Sequence, residues 1–219
     1  GAGWNAAVNG YPLNSYFLYR TDGYFKDQAE VDRYYALYGE GKEDLTGVGA
    51  GSASRLRPGD TKRLDLNGDY KISGAGNENS DLQYLGNSNP HFVFGFTLGG
   101  AWKGFDVNAM FQGVGKQYVI RNDWMAYPFQ TRTANQNPTY LGKTWTESNP
   151  NAEFPRLTTN ANLARWNYQN NDFMMQNNRY IRLKTLIVGY TLPQIWTRKV
   201  KLEKVRVYFS GNDLWEATS

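Results

Sequence analysis

Alternation of large and small side chains around one dipeptide limits the fold of this chain more than any other feature. Residues 91–102 carry large apolar side chains on alternate positions, namely Phe92, Phe94, Phe96, Leu98 and Trp102. The dipeptide Lys103-Gly104 follows, and its glycine can take a positive φ without steric cost. Residues 104–116 alternate again, with Phe105, Val107 and Phe111 on one face. Because a period of two residues is that of a β-strand, the sequence predicts an antiparallel hairpin with one large apolar face.

Three further strands are predicted from weaker patterns. One lies near 11–22, where the alternation is less regular, and two lie near the end of the chain, at 179–193 and 204–215. Strict alternation in the strand at 179–193 divides its residues between two faces. The first face holds Ile181, Leu183, Thr185 and Ile187, and the second holds Tyr180, Arg182 and Lys184.

Two long polar intervals, 23–90 and 117–178, separate these strands. Both are rich in Asn, Gly, Asp, Thr and Pro, and structureless loops of this length are uncommon in a compact domain. The first interval contains a helical passage at residues 27–38. Asp27 is placed to cap it, and Glu30 follows three residues later as in a capping box. We expect a short amphipathic helix that packs on its own loop.

The connections between strands differ in length in an ordered way. If the strands are antiparallel, the two short turns, at 103–104 and 194–203, fall at one end and both long intervals at the other. Outer-membrane barrels combine short periplasmic turns, long extracellular loops and strands of about 9–11 residues. We therefore predict an all-β fold, made of antiparallel strands of a large transmembrane β-barrel with long extracellular loops at 23–90 and 117–178. The alternative is a β-sandwich with one buried face, which alternates in the same way.

The number of strands bears on the barrel prediction. Five strands are predicted, whereas bacterial outer-membrane barrels begin at about eight. Five strands alone would leave two edges whose backbone groups find no partners in hydrocarbon. We therefore expect this chain to be an internal piece of a larger barrel.

Composition excludes several other functions. The net charge of +4 is small and dispersed, so nucleic acid is not an expected partner. The chain has no cysteine and a single histidine, His91, which leaves little support for a Ser-His-Asp site or a histidine metal cluster, and no enzyme is predicted. No run of about 18 apolar residues predicts a transmembrane helix. Three aromatic residues of the second interval either stack on sugars or pack the loop, namely Trp124, Tyr127 and Trp145.

Short segments spread along most of the chain resemble, in the same order, the C-terminal barrel of SusC/RagA-type TonB-dependent transporters. They are RPGD at 57–60, DLNGD at 65–69, LGNSNP at 85–90, WKGFD at 102–106, FQGVG at 111–115, YIRLK at 180–184, GYTLP at 189–193 and RVYFSGNDL at 206–214. The resemblance implies an outer-membrane importer of glycan or peptide fragments in Bacteroidetes-type bacteria. It implies a plugged barrel of about 22 strands.

The resemblance also implies partners. A SusD-like surface lipoprotein would cap the extracellular face, outer-membrane lipid would surround the barrel, and TonB would act through a plug region that this chain lacks. The alternative function, from another class, is a secreted β-sandwich module that binds carbohydrate and carries a calcium-stabilised loop.

The segment DLNGDYKIS at 65–73 has part of the pattern of a calcium loop. Its candidate ligands are Asp65, Asn67, Asp69 and the carbonyl of Lys71. A calcium loop of the EF type has glycine at position six and a bidentate carboxylate at position twelve, and those positions are Tyr70 and Gly76 here. Completion of the shell by Glu78 or Asp81 stays open. We expect an ordered Asx-rich turn for which calcium is not required.

Overall fold

A computed structural model describes residues 7–39, 47–49, 51–74, 80–121, 128 and 138–218 of the protein. Its strands are β1 (Ser15–Tyr19), β2 (Thr21–Tyr24), β3 (Thr61–Arg63), β4 (Leu82–Asn87), β5 (His91–Trp102), β6 (Phe105–Lys116), β7 (Tyr118–Ile120), β8 (Met175–Asn177), β9 (Tyr180–Thr191) and β10 (Arg206–Thr218). Its α-helices are α1 (Gln28–Tyr38), α2 (Ala161–Tyr168) and α3 (Gln194–Thr197). No helix in these ranges is both long enough and apolar enough to cross a membrane.

The chain divides into two compact units, which are described separately. The loop unit comprises Gly1–Ser88 and Val119–Gln176, and the sheet unit comprises Asn89–Tyr118 and Asn177–Ser219. Most of the two long intervals predicted from the sequence lies in the loop unit. The four longest strands make the sheet unit.

The sheet unit is one antiparallel sheet with the spatial order β10-β9-β6-β5. β5 and β6 form a hairpin in which Trp102 pairs with Phe105, and the turn residues Lys103 and Gly104 have φ of 50° and 90°. Two successive positive φ values are those of a type I′ turn, whose twist matches that of the flanking strands. A Cβ on Gly104 would lie 2.9 Å from the carbonyl oxygen of Thr191, so this position favours glycine doubly.

One face of this sheet is apolar across all four strands. Residues paired directly opposite each other share a face, so the register assigns the side chains. The large members of the apolar face are Phe94, Phe96, Leu98 and Trp102 on β5, Phe105, Val107 and Phe111 on β6, Ile181, Leu183, Leu186, Val188 and Tyr190 on β9, and Val207, Phe209 and Trp215 on β10. The rings of Phe96 and Phe111 stack with centroids 5.0 Å apart.

A β-bulge in β9 corrects the predicted facing of that strand. Thr185 pairs with Met110, whereas Leu183 pairs with Phe111, so Lys184 is an extra residue. A bulge of one residue moves everything beyond it to the other face of the sheet. The apolar face therefore continues through Leu186 and Val188, and the prediction that Thr185 and Ile187 share a face with Leu183 is wrong. β10 has its own irregularity opposite this point, between Asn212 and Trp215.

The strand predicted near 11–22 is also placed differently in the structure. This stretch forms two short strands of the loop unit, of which β1 pairs with β4 and β2 pairs with β3. All five residues of β1 are buried. Because a strand buried on both faces does not alternate, its sequence gave only a weak strand pattern. The interval 23–90, predicted as a loop, thus contains strands and a helix.

α1 forms as the sequence predicts. Asp27 caps it by accepting a hydrogen bond from the backbone N–H of Glu30 at 2.8 Å, and the Glu30 carboxylate accepts one from the N–H of Lys26 at 2.7 Å. The helix buries Val31, Tyr34 and Tyr35.

One hydrophobic core cluster of the loop unit draws on both long intervals. Its members are Tyr19, Phe25, Val31, Tyr34, Tyr35, Val48, Leu56, Ile72, Leu163 and Trp166. The last two come from α2, a helix that was not predicted. α1 therefore packs on the second interval as well as on its own, and the two intervals form one folded body.

Candidate functional site

The face of the sheet opposite the apolar one is polar and carries ion pairs. Arg206 on β10 reaches Asp106 on β6, with its Nε donating to Oδ1 at 3.0 Å. Its side chain crosses Gly189 of the intervening strand, where an added Cβ would lie 2.4 Å from the Arg206 Nη2 atom. The pair spans three strands because the middle one offers no side chain at this point.

A second group of charges lies further along the same face, beside the bulge. Lys184, the bulged residue, donates to both carboxylate oxygens of Asp213 at 3.1 Å, and Arg182 pairs with Glu216. All four side chains remain partly exposed. Since exposed ion pairs contribute little to stability, their significance is that this face is suited to water, not to a packed core.

In the loop unit, the guanidinium of Arg63 is buried between two aromatic rings. It lies 3.9 Å from the ring centroid of Tyr19 and 4.2 Å from that of Trp166. It donates to the side chain of Asn171 and to the backbone oxygens of Trp166 and Gln169, each at 2.9 Å. Burial lowers the pKa of Arg63 to about 10, which leaves it charged at neutral pH.

Asp60, three residues before Arg63, is buried as well. Its carboxylate lies 2.7 Å from the Nε of Arg156 and accepts hydrogen bonds from Asn167 Nδ2 and the Arg57 N–H, both at 2.8 Å. Burial raises the pKa of Asp60, while Arg156 and Asn167 oppose that rise. Asp60 and Arg63 together bind the first interval to the second, because each of these charged groups is hydrogen-bonded to residues of the second interval.

Neither Asp60 nor Arg63 was predicted from the sequence as a site residue. Asp60 was noted only as the last residue of the segment RPGD. A lone charged residue in a polar interval has no periodic neighbours that mark it as buried, and its partners lie about 100 positions further along the chain. The signal available was the cluster of turn-forming residues before Asp60, which indicates a fixed loop but not its partner.

The predicted calcium-like residues lie together in one turn. The two Asp65 oxygens accept from the N–H groups of Gly68 and Tyr70 at 2.7 and 2.9 Å. Asn67 accepts from the N–H of Asp69, and Asp69 from the N–H of Lys71, each at 2.9 Å. Tyr70 has a φ of 62°, the left-handed conformation that a bulky residue adopts at a cost.

The two residues considered for completing a calcium shell differ in what the structure says of them. Asp81 is buried, and its carboxylate accepts from the N–H groups of Leu66 and Ser73 at 2.8 and 2.7 Å, so it fastens both ends of the turn. Glu78 lies outside the described residues. Within the described ranges no group of three or more His, Cys, Asp or Glu side chains is placed to hold a metal ion. The turn is closed by hydrogen bonds of its own.

Of the three aromatic candidates, the structure describes Trp145. It is buried, and its ring covers Gly59, where an added Cβ would lie 2.3 Å from a ring carbon. Trp145 therefore packs the loop unit and presents no face to a sugar. Trp124 and Tyr127 lie outside the described residues.

Comparison with known proteins relates these features to one family. No family model matches the chain. TonB-dependent receptor P3 of Formosa agariphila is 30% identical over 158 residues, which cover 72% of this chain and 14% of that receptor. TonB-dependent receptor P26 of the same organism is 27% identical over 160 residues, covering 71% of this chain and 15% of its own length.

Solved structures share the fold. The RagAB peptide importer in its open-open state aligns with a TM-score of 0.56 and 19% identity over 96% of this chain, and the RagAB peptide transporter with 0.59 and 18% over 98%. The chain spans 19% and 21% of those two chains. The predicted resemblance is confirmed: the chain shares the fold of the RagAB structures, and it belongs to the family of TonB-dependent receptors of the outer membrane.

Proposed function

We propose that the sheet unit is four neighbouring strands of a transmembrane β-barrel, and that the whole protein imports glycan or peptide fragments with energy supplied through TonB. The observation that carries this proposal is the apolar face, continuous over all four strands once the bulge is counted. In this role the apolar face meets lipid and the face bearing the ion pairs lines a wet lumen.

The dimensions of the sheet support a membrane location. β5, β6 and β9 have 12 residues each and β10 has 13. Tilted strands of about 9–11 residues cross the hydrocarbon layer, so each of these is long enough. A soluble sandwich would cover the apolar face, yet Phe96 and Phe209 are 43% and 59% exposed. The sandwich alternative therefore has no support from the described residues.

The connections assign the two ends of the barrel. The turn at Lys103-Gly104 and the short segment with α3 between β9 and β10 lie at one end, which we place in the periplasm. The two long intervals connect to the strands of the sheet at the other end, which we place outside the cell. A preformed loop unit of this kind suits contact with arriving ligand or with a partner.

The partners follow from the family. The RagAB structures are of a peptide importer, and by likeness to them we propose a SusD-like lipoprotein on the extracellular side of this protein. By the same likeness we propose that TonB acts through a plug region of the whole protein. The relatives are receptors and transporters, and no catalytic role is proposed.

Calcium is a separate matter. The turn at 65–73 offers two carboxylates and an amide, whereas calcium takes about six to eight oxygens. We propose that the turn forms without the ion and that any cation bound there by Asp65, Asn67, Asp69 and the Lys71 carbonyl is held weakly, with water completing its shell.

The transport proposal is tested with the complete protein in its own host. Uptake of labelled peptide and of labelled oligosaccharide is measured in wild-type cells, in cells lacking this transporter and in cells lacking TonB. We expect uptake of one of the two ligand classes to fall to background in both deletion strains. Unchanged uptake of both classes in either strain contradicts the proposal.

A further inference from the structure

The loop unit contains a cleft of about 450 Å³ that its own side chains do not fill. This volume lies in the range of small-ligand sites. Its walls come from both long intervals, since Arg57 belongs to the first and the segment 156–163 to the second. The same two intervals are joined by the hydrogen bonds of Asp60 and Arg63.

The charge of the cleft is positive. Arg57 and Arg156 line it, and no carboxylate does so among the described residues. Arg156 is paired with the buried Asp60, so its charge is offset. Arg57 is exposed, and the described residues include no acidic side chain paired with it. The backbone N–H of Arg57 donates to the Asp60 carboxylate at 2.8 Å, and this hydrogen bond fixes the backbone position of Arg57.

The remaining walls add hydroxyl groups and an apolar surface. Thr158 and Thr159 line the cleft, and the Thr158 hydroxyl oxygen accepts from the Asn160 N–H at 3.2 Å, which leaves its proton available to a ligand. Leu157 is 46% exposed and forms an apolar side. The first N–H groups of α2 are capped by the Asn160 side chain, so the positive character rests on the arginines and not on the helix end.

We propose that this cleft binds an acidic side chain of a peptide ligand, an inference that rests on the proposed import function. A guanidinium presents paired N–H donors in the geometry of a carboxylate, and the threonine hydroxyls supply further donors. The aliphatic part of a glutamate side chain lies against Leu157. No aromatic ring lines the cleft within the described residues, so it offers no flat platform for a sugar ring, which favours peptide.

Binding to the purified full-length transporter tests this assignment. Isothermal titration calorimetry uses two peptides identical except that one has two central glutamates and the other two glutamines, together with a uronic acid trisaccharide. The variants are Arg57→Gln and, as the matched control, Arg33→Gln, which removes an exposed positive charge from α1 away from the cleft. Heat-modifiable migration on gels verifies that each variant is folded.

We expect wild type to bind the glutamate peptide about tenfold more tightly than the glutamine peptide, a factor that a charge-assisted hydrogen bond supplies. Arg57→Gln removes this preference and Arg33→Gln keeps it. Equal affinities for the two peptides in wild type overturn the proposal, as does an equal loss in both variants. Loss of trisaccharide binding alone in Arg57→Gln overturns the assignment to peptide. Uptake that persists without TonB refutes the import mechanism, whereas the measured peptide affinities test the cleft assignment independently of that result.

Discussion

At the scale of single residues, Asp60 and Arg63 decide whether the loop unit holds together. They lie three positions apart, both are buried, and each is met by groups from the second interval. Burying a charge is costly unless it is paired and hydrogen-bonded, and both groups are hydrogen-bonded here. Loss of one partner leaves the other charge buried without compensation, so these positions are sensitive to conservative changes too.

Arg63→Lys tests this sensitivity in the full-length protein. Lysine keeps the charge but has no planar group to lie between Tyr19 and Trp166, and a single ammonium does not reach all three acceptors. We expect the loop unit to lose about 2–4 kcal/mol of local stability. Hydrogen exchange of the amides in 57–63 and 161–171 reports the loss. Arg33→Lys, on the exposed side of α1, is the control, and equal protection in both variants contradicts the prediction.

The turn at 65–73 gives a second prediction at this scale. Because Asp65 already accepts from two backbone N–H groups, Asp65→Ala should loosen the turn equally with chelator and with calcium, at a cost of about 0.5–2 kcal/mol. Hydrogen exchange of amides 66–73 is the measurement. In wild type, millimolar calcium should change their protection little. A micromolar calcium affinity that disappears in the double variant Asp65→Ala/Asp69→Ala would show that the ion, not the hydrogen bonds, organises the turn.

At the scale of elements, the sequence is informative where one face of a strand is apolar and the other is not. β5 and β6 alternate without interruption, and their hairpin follows from that pattern and from the Lys103-Gly104 turn. β9 departs from regular alternation at Lys184. The sequence did not predict this bulge, because nothing in it distinguishes a bulged lysine from a paired one. β1 is buried on both faces and loses its alternation. α2 has only eight residues, and its Asn160 cap is common in loops too.

The facing of the hairpin is tested by two arginine substitutions on neighbouring strands. Phe96 lies on the apolar face and Asn108 on the polar one. An arginine facing lipid near the middle of the bilayer costs about 2–4 kcal/mol, whereas a position facing the lumen is wet. Phe96→Arg should therefore reduce the yield of folded barrel, measured as heat-modifiable protein in outer-membrane fractions, and Asn108→Arg should not. Similar yields from both would reverse the assignment of the faces.

The hairpin turn is tested by Gly104→Ala. Alanine at a φ of 90° is strained, and its Cβ would meet the Thr191 carbonyl oxygen at 2.9 Å. We expect slower assembly and about 1–2 kcal/mol lower stability of the full-length barrel, measured by urea titration in detergent. Lys103→Gly relieves the neighbouring positive φ and is the control, with stability equal to or above that of wild type. A neutral Gly104→Ala would show that the turn adapts.

At the scale of the whole molecule, the sheet unit does not complete itself. β5 and β10 are edge strands in the sheet, large apolar side chains on β5, β6 and β10 are exposed, and those on β9 are half-buried. Unpaired edges and a wide apolar patch both promote association. In the proposed barrel, further strands would pair with these edges and lipid would cover the patch, so we expect a stable form of this sheet only within the complete protein.

Expression of the 219-residue chain alone in aqueous buffer tests this dependence. We expect it to sediment as aggregate, and to be recovered in detergent as a heterogeneous species without heat-modifiable migration. The complete transporter in the same detergent is the control. A monodisperse monomer in detergent-free buffer would contradict a lipid-facing role for the apolar surface and revive a soluble fold.

The bulge at Lys184 determines which insertions and deletions β9 tolerates during evolution. On each side of Lys184 the side chains of β9 alternate regularly between the two faces of the sheet, and this alternation is interrupted only at Lys184. Loss of one residue elsewhere in β9 would move the side chains on one side of the deletion to the opposite face of the sheet. Loss of Lys184 itself would restore regular alternation and leave Leu183 and Thr185 on their present faces. Gain or loss of residues in pairs leaves the sides unchanged. Gaps among relatives should therefore avoid this strand, come in twos or fall at Lys184.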